Sequence, residues 1–194
     1  MAEPMRAENR RFTYADLITW ASEERWELIE GVGYAMTPAP SQRHQEIVVE
    51  LAGQIWAFLR DHPCRVFTAP FDVRLPAPGE DGMTASTVFQ PDLLVVCERE
   101  KLDGRGVVGA PSLIIEVTSP ATAGRDLREK RLAYEHAGVV EYWVISPADA
   151  TVQVYTLDAH GRYGAPAVYT REEQVPVGVL PELRVDLARV FAEQ

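Results

Sequence analysis

The chain has 194 residues, 46% hydrophobic and 25% charged, with 29 acidic residues against 19 lysines and arginines and a net charge of −10. That length suits one globular domain with one core, while the acidity argues against a general electrostatic grip on nucleic acid, so any DNA contact must be local. No apolar run approaches the roughly 20 residues that cross a bilayer, and the opening MAEPMRAENRR lacks the apolar middle of a signal peptide, so a cytoplasmic protein with no membrane contact is expected.

Residues 1–11 are polar and read as a flexible N-terminal tail. FTYADLITWAS follows as a short helix, with Tyr14, Leu17 and Ile18 at helical spacing. WELIEGVGYAM, with Gly31 and Gly33 inside it, reads as two short strands around a turn. TPAPS ends that hairpin and supplies Ser41 as an N-cap. From Gln42 to about Arg60, Ile47, Val48, Leu51, Ile55, Phe58 and Leu59 form one stripe, as on a helix lying against a sheet, and His44 extends it by a turn.

RVFTAPFDVRL reads as one strand, PAPGEDGMTAS as a surface loop and PDLLVVC as the next strand. The polar stretch EREKLDGRGVVGAP leads into the strand SLIIEVTS. A helix is predicted from about Arg125 to Ala137, closed by Gly138, and EYWVISP is a further strand. TVQVYTLDAHGRYG reads as a hairpin and PELRVDLARVFAE as a short terminal element. Cys64 and Cys97 are too few and too far apart for a zinc motif or a disulfide framework, and read as buried thiols.

Three charges break the apolar pattern. PDLLVVC and SLIIEVTS look like core strands covered on both faces, yet Asp92 stands at the mouth of the first and Glu116 midway along the second, on the face of Ile114 and Thr118. Two carboxylates meeting there repel each other unless something positive stands between them, and a divalent cation is the simplest answer. On the following helix Leu127, Lys130, Tyr134 and Ala137 share one stripe, so Lys130 points toward the apolar side. Each has an ordinary alternative: Asp92 a turn residue, Glu116 a structural ion pair, Lys130 a snorkelling side chain. Their conjunction at one sheet edge favours a site.

Taken together, QPDLLVV, GAPSLIIEVTSP and RDLREKRLAYEHAGVVEYWVISP resemble the Uma2-type restriction endonuclease family, and WELIEGVGYAMTPAPSQRHQ and TAPFDVRL resemble its upstream motifs. The similarity spans roughly Phe12 to Tyr163. It implies the PD-(D/E)xK nuclease superfamily and an α/β (α+β) fold, a mixed central β-sheet flanked by helices, here with an N-terminal and a C-terminal hairpin, in one domain over residues 12–194. The superfamily's metal-binding Asp then maps to Asp92 and its second acid to Glu116. The superfamily lysine would fall at Thr118; in this family's pattern it has moved to the following helix, where Lys130 stands.

The implied chemistry is hydrolysis of a phosphodiester of nucleic acid, with DNA ranked ahead of RNA and the sequence not deciding between them. Asp92, Glu116 and a main-chain carbonyl near Val117 hold Mg²⁺ or Mn²⁺, and Lys130 assists the attacking water. His44, Glu30, Asp72, Tyr134 and Gln90 are candidate supporting residues. Their ordinary readings are a core histidine, a solvated hairpin acid, an ion pair of Asp72 with Arg74, core packing and backbone pairing. Arg125, Arg128 and Arg131 form the concentrated basic stretch and are candidates for phosphate contacts. A homodimer is expected, because cutting two strands suits a pair of sites. The rival reading is a catalytically inactive nuclease-fold protein acting as a binding or assembly module, which the acidic balance favours. A nucleotide-binding α/β enzyme is disfavoured because no Gly-rich phosphate loop joins a strand to a helix.

Overall fold

The computed structural model describes residues 10–20, 25–36, 40–119, 124 and 126–192. In chain order the elements are α1 (Tyr14–Leu17), β1 (Trp26–Ile29), β2 (Val32–Ala35), α2 (Gln42–Leu59), β3 (Arg65–Thr68), β4 (Asp72–Arg74), β5 (Val88–Phe89), β6 (Leu93–Val96), β7 (Gly106–Val108) and β8 (Leu113–Val117). After a π-helical turn (Asp126–Lys130) come α3 (Arg131–Ala137), β9 (Glu141–Ser146), β10 (Thr151–Thr156), β11 (Ala167–Thr170), β12 (Gln174–Pro176), β13 (Arg184–Asp186) and α4 (Leu187–Val190).

The central sheet has six strands in the order β11-β10-β9-β8-β6-β3. Only β8 and β9 run parallel in it. A parallel pair needs a crossover, and the π turn with α3 supplies it, which lays that helix over one face of the sheet. Both faces are covered. Leu93, Val95, Leu113, Ile115, Val117, Trp143 and Ile145 pack against the α2 stripe of Ile47, Leu51 and Ile55, together with α4. Leu94, Val96, Ile114, Tyr142 and Val144 face the opposite way, onto Tyr134 of α3 and onto Val73, Phe89 and Val107 of a second sheet. Burial on both sides is why LLVV and LIIEV read as nearly unbroken apolar runs.

The second sheet has five strands in the order β2-β1-β5-β4-β7, and β4 and β7 are its parallel pair. RVFTAPFDVRL is therefore two strands rather than one: β3 edges the central sheet and β4 lies inside the second, the chain changing sheets around Ala69 and Pro70. The polar stretch before β8 contains β7, whose Gly106 at φ 150° passes so close that a Cβ there would lie 2.2 Å from the Asp72 carbonyl oxygen. A side chain there would separate β4 from β7, and only glycine tolerates that φ at little cost.

Ser41 caps α2 by accepting the His44 N–H at 3.2 Å. Gly138, at φ 87°, ends α3 in the left-handed conformation. Within 151–164 the pairing reduces to β10 and one bridge, Leu157 to Tyr163; β10 takes its main partners from β9 and β11. The C-terminal hairpin is β12 with β13.

Cys64 and Cys97 form a disulfide rather than two thiols. The β3–β6 register pairs Arg65 with Val96, so one step outward brings the two cysteines face to face. Arg10 and Arg11 are described, the latter packed against Gly31, whereas the rest of the predicted tail lies outside the described residues. No helix among the described residues is long and apolar enough to cross a membrane.

Candidate active site

The register between β6 and β8 sets the site. Leu93 pairs with Ile115, so the ladder carried one step further places residue 92 opposite residue 116. Asp92 lies just outside the strand, and its Oδ2 accepts the Val117 N–H at 2.8 Å, capping the end of the ladder. His44 Nε2, from the first turn of α2, lies 3.2 Å from the same oxygen. In an extended strand a residue's N–H and C=O point to the same side, so the Val117 carbonyl also faces the Asp92 edge. Thr118 faces β9 instead: its N–H and its hydroxyl both donate to the Ile145 carbonyl, at 2.8 and 2.9 Å.

Glu116 is buried, 4% exposed, and so is Lys130 at 4%. Lys130 Nζ lies 2.9 Å from Glu116 Oε1 and 2.9 Å from Glu27 Oε1. It also sits over the Phe89 ring, 5.5 Å from its centroid. Tyr134, one turn beyond Lys130, donates its O–H to Glu116 Oε1 at 2.9 Å. The wider π turn ending at Lys130 feeds directly into α3, so the lysine and the tyrosine converge on one carboxylate oxygen. Burial and the neighbouring Glu116 charge hold the Tyr134 phenol well above its ordinary value near 10, so it remains a donor.

Glu27, on β1, is the member that the sequence reading missed. It is 2% exposed, and its Oε1 also accepts the Gln90 N–H at 3.1 Å. Glu30, the acid singled out in that hairpin, stands at the exposed turn with φ 49° and lies outside this cluster. The signal for Glu27 was present: an acid flanked by Trp26, Leu28 and Ile29 in a strand breaks the pattern as Glu116 does.

Asp72 is not paired with Arg74. Its carboxylate accepts the Tyr14 O–H at 2.9 Å and the Gln90 side-chain N–H at 2.8 Å, whereas Arg74 is bonded to Asp103 and lies over the Tyr14 ring. Burial and the Asp72 bond raise the Tyr14 phenol to about 12. Gln90 thus does more than pair with backbone, linking Asp72 through its side chain to Glu27 through its N–H. Arg128 is exposed, and the Arg131 guanidinium lies 5.8 Å over the Tyr155 ring; Arg125 lies outside the described residues.

The positive charge between Glu27 and Glu116 is the Lys130 ammonium. Among the described residues no group of three or more His, Cys, Asp or Glu side chains gathers closely enough to hold a metal ion. The donors that share the end of β8 are oxygens: the carboxylates of Asp92 and Glu116 and the Val117 carbonyl. Such a set fits Mg²⁺ or Mn²⁺, hard ions that keep several waters and take one or two carboxylates from a protein. Two carboxylates, Glu27 and Glu116, face the one ammonium of Lys130, which leaves that cluster an excess of negative charge.

A family model described as "Uma2: Putative restriction endonuclease" matches residues 13–188. A crystal structure of a "putative nuclease belonging to DUF820" from Anabaena variabilis ATCC 29413 is similar over 93% of this chain and 97% of that one, with a TM-score of 0.73 and 22% sequence identity. This likeness establishes the fold, a mixed central sheet flanked by helices as in the restriction-endonuclease-like core. No curated protein matches the chain.

Proposed function

Because the chain belongs to the Uma2 family, with the nuclease fold related to the PD-(D/E)xK superfamily, we propose that it is a metal-dependent endonuclease hydrolysing phosphodiester bonds of DNA. The observation that carries this reading is the buried Glu27–Lys130–Glu116 cluster set beside Asp92 at the end of β8. Asp92, Glu116 and the Val117 carbonyl would hold Mg²⁺ or Mn²⁺. When bound, such an ion supplies a water of lowered pKa and offsets charge on the phosphate.

The chain's own residues set the rest. Lys130 pairs with Glu27 and Glu116 in the absence of solvent and brings a positive charge to where negative charge builds on the phosphate oxygens. Tyr134 fixes the orientation of Glu116, and His44 with the Val117 N–H fixes that of Asp92. These are positioning residues. Arg128, exposed on the turn before α3, would contact a phosphate. A homodimer would carry two such sites.

The inactive binding-module reading draws on one observation, the ammonium standing where a second cation would otherwise be needed. Incubation of the protein with supercoiled and single-stranded DNA in Mg²⁺ or Mn²⁺, across a range of salt, decides between them. Metal-dependent cleavage supports the enzyme, and intact DNA in every condition supports the module.

A further inference from the structure

Away from the acids, at the other end of β3, lies a groove of about 380 Å³ whose lining includes Trp56, Arg60, His62, Arg65, Phe67 and Arg99. No acidic residue lines it among the described residues, although the chain carries a net charge of −10. Three separate elements deliver the guanidiniums: Arg60 from the end of α2, Arg65 from the edge strand β3, and Arg99 from a short 3₁₀ turn after β6. None of the three has a carboxylate partner among the described residues. The disulfide from Cys64 to Cys97 ties the start of β3 to the end of β6 beneath them.

Trp56 is 58% exposed, with the Arg60 guanidinium 5.2 Å over its ring. An arginine one turn after a tryptophan is an ordinary helix-surface pair. What an ordinary pair does not explain is two further arginines lining the same concavity, Arg65 from the next strand and Arg99 from a turn more than thirty residues further along the chain.

The groove also lines up with the acids. Arg65 pairs with Val96 and Thr68 with Leu93, and the Ala69 N–H donates to the Asp92 carbonyl at 3.2 Å. Groove and acids are thus the two ends of one edge strand, about 13 Å apart at ~3.3 Å per residue. A few nucleotides of single strand cover that span.

We propose that this groove holds a single-stranded nucleic-acid segment, with a base against the Trp56 indole and phosphates on Arg60, Arg65 and Arg99. An exposed indole stacks most readily on an unpaired base, whose faces are open, which disfavours a duplex, and an acidic peptide would use the arginines without needing the indole. The inference deepens the nuclease reading by naming a single strand as the substrate form, and rests on that reading for its link to Asp92.

Fluorescence anisotropy with labelled oligo(dT) of about 15 nucleotides, near the site size of other single-strand binders, tests it in EDTA so that cleavage plays no part. Wild type is compared with Trp56→Ala and with the double variant Arg65→Ala/Arg99→Ala, all at exposed positions and checked by melting. Trp56→Ala is expected to weaken binding about tenfold. The double variant should flatten the slope of log affinity against log salt by about 1.4, at ~0.7 for each phosphate it no longer neutralises. Wild-type affinity in both variants overturns the proposal. So does a duplex that binds more tightly than the single strand, or poly-glutamate that binds wild type and Trp56→Ala as strongly as oligo(dT) does. The two readings fail separately: DNA left uncleaved in Mg²⁺ with groove binding intact removes the nuclease, while cleavage with unaltered binding by Trp56→Ala removes the groove.

Discussion

Lys130 Nζ lies as close to Glu27 as to Glu116, 2.9 Å from each, and all three side chains are almost wholly buried. One ammonium therefore serves two carboxylates away from water. Lys130→Met leaves both acids without it, and removing one partner of a buried ion pair costs about 3–5 kcal/mol. Urea unfolding should show that loss, and adding Glu27→Gln to Lys130→Met should recover part of it. A loss below about 1 kcal/mol would mean that the cluster is hydrated.

Tyr134→Phe keeps the ring packed against Phe89 and Tyr142 but removes the O–H from Glu116. A hydrogen bond to a charged group contributes about 1.5–3 kcal/mol, so a stability loss of that order is expected in chemical denaturation. If Glu116 serves in catalysis, the variant's kcat falls more than its KM rises, because the substrate does not touch the phenol. An unchanged kcat with the stability lost would leave Tyr134 a purely structural residue.

The same phenols set the alkaline limit. The folded chain holds Tyr134 well above 10 and Tyr14 at about 12, so above pH 10 it binds more protons than the unfolded chain does. Their contribution is fully present below about pH 10 and is lost as pH rises through the folded values. Melting temperature should therefore fall more steeply above about pH 10 in wild type than in Tyr134→Phe. Equal slopes would show that the phenol titrates normally.

At acid pH the sign reverses. The Tyr163 N–H, aided by Arg162, holds the Glu135 carboxyl below its ordinary value of 4.5. Its contribution is present above that value and is lost as pH falls through the folded one. Glu135→Gln should be less stable than wild type at neutral pH, with the difference shrinking toward acid. A difference constant with pH would refute the linkage.

Elements were legible wherever one period dominated. The α2 stripe, the Ser41 cap, the closing Gly138 and the runs of β6 and β8 follow from burial on known faces, and Glu116 and Lys130 showed as charges inside those patterns. Cross-strand neighbours were not legible, because alternation gives a residue's face but not its partner. Asp72 and Arg74 share a face, yet Tyr14, Gln90 and Asp103 take the places that each was expected to fill for the other. Cys64 meets Cys97 through the β3–β6 register, and Glu27 reaches Lys130 only because β1 belongs to a second sheet folded over the first.

His44 separates positioning from fold. Its Nε2 is 3.2 Å from Asp92 Oδ2, and its backbone N–H already serves the Ser41 cap. His44→Ala should leave the cap and the melting temperature nearly unchanged while lowering kcat, with partial rescue by His44→Gln. Wild-type kcat in the alanine variant would remove His44 from the site.

Nicking of supercoiled DNA in Mn²⁺ by wild type, Asp92→Asn and Glu116→Gln, each shown by melting to be folded, bears most directly on the nuclease reading. Cleavage that EDTA abolishes and that drops at least about 100-fold in both variants is the expected result. Equal cleavage by all three proteins, or none by wild type, would contradict it.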